Sequence, residues 1–133
     1  VVYALKRGDL DRFRKLLTGF LADIPYTMRR KETERERERY FHYTFYLLMR
    51  MVSCYTVYTE KQQSEGRVDC IVEVPDYIYI FEFKLDGTAA EALAQIESKG
   101  YARPYAADPR PLYRIGVSFS SETGTVSDWA VEG

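Results

Sequence analysis

Asp69, Glu82 and Lys84 are charged residues in two short runs that otherwise read as buried strands, "RVDCIVEV" (67–74) and "YIYIFEFKL" (77–85). If Pro75 and Asp76 are the two central residues of a tight turn, Val74 pairs with Tyr77 and the register sets Asp69 opposite Glu82. Opposed residues of an antiparallel pair share a face with Cβ atoms about 5 Å apart, and Lys84, two residues on from Glu82, shares that face. Two carboxylates so close repel each other unless they are neutralised, and one ammonium offsets only one of them. A hard divalent cation such as Mg²⁺, which takes carboxylate and carbonyl oxygens plus water, supplies the remaining charge. The competing reading is a surface ion pair on the wet side of a strand, common and of little energetic worth. Against it stand Ile78 and Ile80 on the same face, the second acid at the one register that meets Glu82, and Asp86 and Gly87 at a strand end that would open into a cleft. A three-residue turn would swap the faces and undo the pairing.

These two strands need neighbours. Leu10, Phe13, Leu16, Leu17, Phe20 and Leu21 repeat at helical spacing over 9–22, and the helix should stop before Pro25. "MRRKETERERER" follows, with both signs interleaved, and reads as a solvated stretch laced by ion pairs rather than a phosphate-binding face. Phe41, Phe45, Leu48 and Val52 then form a core stripe, so one long helix is expected over about 33–54. "YTVYTEKQQ" (55–63) is a first strand, followed by the two already named. "DGTAAEALAQIESKG" is a clear helix: Thr88 and Glu91 form a capping box, residues 89–99 propagate well, and Gly100 ends it. "LYRIGVSFS" and "TVSDWAVE" supply a fourth strand and a fifth at the edge. The first three strands should form an antiparallel meander. The helix would be a right-handed crossover that brings the fourth strand in parallel to the third. The fold class is therefore α/β, a mixed four- to five-stranded sheet flanked by helices.

Composition narrows the function. The chain has 133 residues, which is one domain with a real core. The formal net charge of −1 is too balanced for a protein that holds nucleic acid through its overall field, so such binding would need a local patch, bound cations or another domain. Cys54 and Cys70 are too few for a disulfide framework, and no run is long and apolar enough to cross a bilayer, so a cytoplasmic protein with buried thiols and no membrane contact is expected. The single histidine excludes multi-histidine metal sites. No phosphate-binding G-x-x-x-x-G-K-[ST] loop is present, and "VSFSSETGT" lacks a nucleophile elbow. The tyrosines read mainly as core, although Tyr40 and Tyr43 could line a groove and stack on bases.

"GRVDCIVEVPDYIYIFEFK" resembles the D-x(n)-E-x-K motif of the PD-(D/E)XK nuclease superfamily, with Asp69, Glu82 and Lys84 in the motif positions. The longer text "IFEFKLDGTAAEALAQIESKGYARPYAADPRPLYRIGVSFSSET", together with "GDLDRFRKLLTGFLADIPY", is similar to the branch found at the C-terminus of bacterial proteins with an AAA-ATPase-like N-terminal domain. The resemblance implies a restriction-endonuclease-like core over 33–133, preceded by an N-terminal helical segment over 1–27, as the C-terminal part of a longer chain. It implies Mg²⁺- or Mn²⁺-dependent phosphodiester hydrolysis, with the metal held by Asp69, Glu82 and the carbonyl of Phe83 and with Lys84 assisting the attacking water. From the 33–54 helix it suggests Glu38, or His42 one turn later, as a further site residue. Gln95 and Tyr101 match a Gln and a Tyr that shape the site in related nucleases, with helix packing as the plain alternative. The implied partners are nucleic acid, DNA in preference to RNA, an upstream AAA-ATPase-like domain, and a second copy of the chain if both strands are cut. The rival functions are a docking module with a catalytically weak site, and a purely structural polar network of Asp69, Glu82 and Lys84.

Overall fold

A computed structural model of the chain describes residues 2–22, 56–62, 67–120 and 122–133. The helix expected over 33–54, and with it Glu38, Tyr40, His42, Tyr43 and Cys54, lies outside the described residues.

The register follows from the turn. Pro75 and Asp76 join β2 (Arg67–Val74) to β3 (Tyr77–Leu85), Val74 pairs with Tyr77, and Asp69 is set opposite Glu82. On the far side of β2 lies β1 (Thr56–Gln62), also antiparallel. After β3 the chain enters a helix, passes through a short 3₁₀ turn at Arg103–Tyr105, and returns as β4 (Leu112–Phe119), parallel to β3. Last comes β5 (Val126–Glu132), antiparallel to β4 at the edge, with a register irregularity at Ser118/Phe119. The sheet order is thus β1-β2-β3-β4-β5. The mixed sheet, its one parallel pair and the edge position of β5 agree with the pattern expected from sequence.

Alternation along β3 and β4 divides the sheet into two differently covered faces. Tyr79, Phe81 and Phe83 of β3, with Cys70, Val72 and Val74 of β2 and Ile115, Val117 and Phe119 of β4, form a continuous apolar surface. Two N-terminal helices cover it. These are α1 (Val2–Lys6), a short helix that the sequence reading missed, and α2 (Leu10–Ala22), which begins where Asp9 accepts a hydrogen bond from the Arg12 N–H. Phe13 and Leu17 of α2 and Leu5 of α1 are buried in this core, with the Phe13 ring 5.3 Å from that of Phe81. The Tyr79 hydroxyl reaches through the core and donates to the Leu5 carbonyl at 2.5 Å, and burial pushes its pKa up. The Cys70 thiol is buried.

The other face carries Ile78, Ile80, Glu82 and Lys84 in sequence along β3, beneath α3 (Ala89–Lys99). The boundaries of α3 are those written in the sequence. The Thr88 hydroxyl accepts from the Glu91 N–H and Gly100 adopts the left-handed conformation at the C-terminus. Ala89, Ala92 and Ile96 form its buried stripe. Small side chains at two of these three positions let the helix come very close to β4. A Cβ at Gly116 would lie 2.3 Å from the Ala89 carbonyl oxygen, so no side chain fits there. Among the described residues, no helix is long and apolar enough to cross a membrane.

Candidate active site

Glu82 lies on the middle strand of the sheet, flanked in register by Asp69 on one side and Gly116 on the other. Glycine at the neighbouring position lets α3 descend far enough to cover it. The Glu82 side chain is 0 % exposed, and neither carboxylate oxygen has a hydrogen-bond partner among the described residues. A buried, unsatisfied carboxylate is costly, so the few that occur call for a physical explanation. The closest described cation is Lys99, at the last turn of α3, whose Nζ stands 3.7 Å from Glu82 Oε1. That separation is within reach of an ion pair but longer than a hydrogen bond.

Two residues along the same face, Lys84 is closed in a tighter contact. Its ammonium donates to Glu91 Oε2 at 3.0 Å, and Lys84 is mostly buried whereas Glu91 is exposed. Glu91 is fixed in turn by the capping box, its Oε1 accepting from the Thr88 hydroxyl at 3.0 Å. The Lys84 ammonium and the Thr88 hydroxyl together hold the Glu91 carboxyl below the usual carboxylate range. Two ion pairs therefore cross between the same two elements with opposite polarity: acid on β3 to base on α3 at Glu82–Lys99, and base on β3 to acid on α3 at Lys84–Glu91. Gln95, half-buried, occupies the helical turn between Glu91 and Lys99. Tyr101 follows the helix, with its ring centroid 5.5 Å from Lys99 Nζ.

The start of α3 is anchored from three directions. Ser118, which registers with Lys84 on β4, donates its hydroxyl to the Gly87 carbonyl at 2.6 Å. The Asp86 N–H donates to the Phe119 carbonyl, with Asp86 in the left-handed region at φ 55°. Asp128 of β5 accepts from the Ala89 N–H at 2.8 Å, placing a carboxylate at the helix N-terminus. The far end of the crossover is tied to β2 by Arg110. Its guanidinium bonds Asp108 and Glu73 at 2.7 and 2.8 Å and also donates to the Val74 carbonyl, and Arg110 holds the Asp108 carboxyl down at about 2.

Of the sequence candidates, the backbone register brings Asp69, Glu82 and Lys84 together on β2 and β3. Gln95 lies on the helix above them, and Tyr101 is linked through Lys99. Phe83 turns its ring into the opposite core, stacked on Phe81 at 5.5 Å, leaving only its backbone to the Glu82 side. Glu38 and His42 lie outside the described residues. Sequence reasoning missed Lys99 and did not see Glu91 as more than a cap. Their spacing of four and eight residues along one helix stripe was the available signal. Ser118 and Asp128 left no signal, because their roles depend on sheet register across β4 and β5.

A hard divalent cation fits the chemistry of this position. Glu82 offers two buried oxygens with no hydrogen bond from the described residues, on the strand register that opposes a second acid. Among the described residues, however, no cluster of three or more His, Cys, Asp or Glu side chains forms a complete ligand set.

An uncharacterized protein in the vnfD 5′ region of Azotobacter chroococcum mcd 1 is 33% identical over 130 residues, covering 96% of this chain. The chain spans only 25% of that relative's length. No solved structure matches. The sequence profile of the PD-(D/E)XK nuclease superfamily matches residues 36–129, a span that includes the β2–β3 hairpin, the crossover helix and most of β5. By that match the chain belongs to the PD-(D/E)XK nuclease superfamily.

Proposed function

We propose that the chain is a metal-dependent nuclease that hydrolyses phosphodiester bonds, with Asp69, Glu82 and the Phe83 carbonyl holding Mg²⁺ or Mn²⁺ and Lys84 serving the attacking water. The observation that carries this reading is the Glu82 carboxylate, fully buried with both oxygens lacking a hydrogen bond from the described residues and opposed in register by Asp69. A bound divalent cation would supply positive charge beside the scissile phosphate and acidify water there. Lys84, free to turn from Glu91 toward an incoming phosphate, would orient the water and offset charge developing on the non-bridging oxygens as the bond to the leaving oxygen breaks. Gln95 and Tyr101 would shape the substrate side, and Glu38 or His42 would complete the site from the preceding helix. DNA is the favoured substrate. Coupling to an upstream AAA-ATPase-like domain and pairing of two copies belong to the same proposal.

A second reading is a docking module whose site turns over poorly. Its support is the Lys84–Glu91 pair, which occupies the ammonium that catalysis would use. Cleavage of plasmid, single-stranded DNA and RNA with Mg²⁺ or Mn²⁺, by wild type and a folded Lys84→Ala variant, separates the two. Metal-dependent cutting that Lys84→Ala lowers by at least a hundredfold is the expected result. Equal cutting by both proteins would sink the assigned role of Lys84; no cutting with metal still bound would mean that the domain needs its partner, and no cutting without metal binding would leave the docking module.

A further inference from the structure

Lys99 is not one of the motif residues, yet among the described residues it is the cation closest to the carboxylate on which the proposed metal site depends. Glu82 is 0 % exposed, and such a charge persists in a protein interior only with a counter-charge. Lys99 provides one at 3.7 Å, from the last turn of a helix whose seat on the sheet is fixed by the Gly116 contact. The separation leaves the pair without a hydrogen bond, so Glu82 keeps its lone pairs for another partner. The ammonium also has a second resting place. The Tyr101 ring lies 5.5 Å away, and Lys99 itself is 20 % exposed, so a small rotation carries the charge from the carboxylate toward the ring face and water.

We propose that Lys99 is the stand-in cation of Glu82, neutralising the carboxylate while the site is empty and withdrawing toward Tyr101 when a divalent cation binds. Lys99 is thus a positioning residue, one that keeps the site folded without metal and sets the affinity with which metal enters. The inference rests on the metal-site reading above. It assigns the crossing charge pairs distinct duties: Lys99–Glu82 governs occupancy, and Glu91–Lys84 holds the residue that serves the water.

The test is Mn²⁺ binding, followed by electron paramagnetic resonance and calorimetry, on wild type, Lys99→Met, Lys99→Arg and Glu82→Gln/Lys99→Met, with melting curves of each in EDTA. If Lys99 competes with the metal, Lys99→Met lowers the metal-free melting temperature yet binds Mn²⁺ about tenfold more tightly, a change of about 1.4 kcal/mol. Lys99→Arg restores both properties toward wild type. Glu82→Gln/Lys99→Met recovers the metal-free melting temperature, because the buried charge has gone with its partner, and this keeps the pairing testable if the single variant folds poorly. Wild type that binds Mn²⁺ with Lys99→Met binding equally or more weakly overturns the stand-in role and leaves the metal site intact. Absence of Mn²⁺ binding in both proteins overturns the metal-site reading itself, and the stand-in role with it.

Discussion

Replacing Gly116 with alanine tests the packing that covers the site, because two opposing effects give opposite signs. Gly116 sits within β4 and is not among the residues with positive φ, so its backbone is open to any amino acid. With no collision, alanine would stabilise by about 0.4–1 kcal/mol by restricting the unfolded chain. The added Cβ, however, would lie 2.3 Å from the Ala89 carbonyl oxygen and 3.1 Å from both Ala92 Cβ and Leu93 Cγ. Ordinary contact needs the helix to retreat by about 1 Å, and the nearest obstacle is backbone that no rotamer can move. Overpacking of this kind costs about 1–3 kcal/mol, so the collision wins. At about 4 °C per kcal/mol for a domain of this size, the melting temperature should fall by roughly 8 °C. Urea unfolding followed by circular dichroism, alongside thermal melts, reads both quantities. Adding Ala92→Gly should recover little, since the carbonyl obstacle stays. A Gly116→Ala protein as stable as wild type would refute the close seating of α3, and with it the reason Glu82 is sealed from water.

Two further outcomes check the parts around the site. Tyr79→Phe removes the buried hydroxyl that meets the Leu5 carbonyl and should cost about 1–2 kcal/mol, with faster amide exchange in α1; unchanged exchange there would show that α1 is held by packing alone. The Asp108 carboxyl, held down at about 2 by Arg110, adds stability that is fully present above the unfolded value of about 4 and is lost as pH falls towards 2. Wild type and Asp108→Asn should therefore differ in urea midpoint at pH 6, and the gap should shrink as pH falls through about 2; a gap that is the same at pH 2 as at pH 6 would contradict the pairing.

The hairpin and the crossover helix were legible in the sequence because local chemistry decides them. Pro75–Asp76 fixes the pairing of β2 with β3, and Thr88, Glu91 and Gly100 mark both ends of α3 without reference to the rest of the chain. What local chemistry could not reveal was depth. The charged end of β3 was expected to open toward a cleft, whereas Glu82 is wholly buried because Gly116, its register partner on β4 and distant in sequence, leaves room for the helix. Lys99 read as an ordinary helix residue and Glu91 only as a cap for the same reason, since only the seated helix reveals what each faces. The short α1 escaped because five residues carry too little periodicity to recognise.

The single parallel pair of strands has a consequence in time. β2 and β3 meet across a two-residue turn, a closure of microseconds, whereas β3 and β4 meet only after the chain from 86 to 111 has looped back with α3. The hairpin bearing Glu82 is therefore expected to assemble while the helix bearing Lys99 is still undocked. During that interval the carboxylate lies open to solvent, and a divalent ion in the medium meets it before its resident ammonium arrives. Cation loading would then depend on the moment of encounter as well as on affinity. Refolding with Mn²⁺ present from the start, compared with addition after folding, would reveal this as faster acquisition of the bound spectrum.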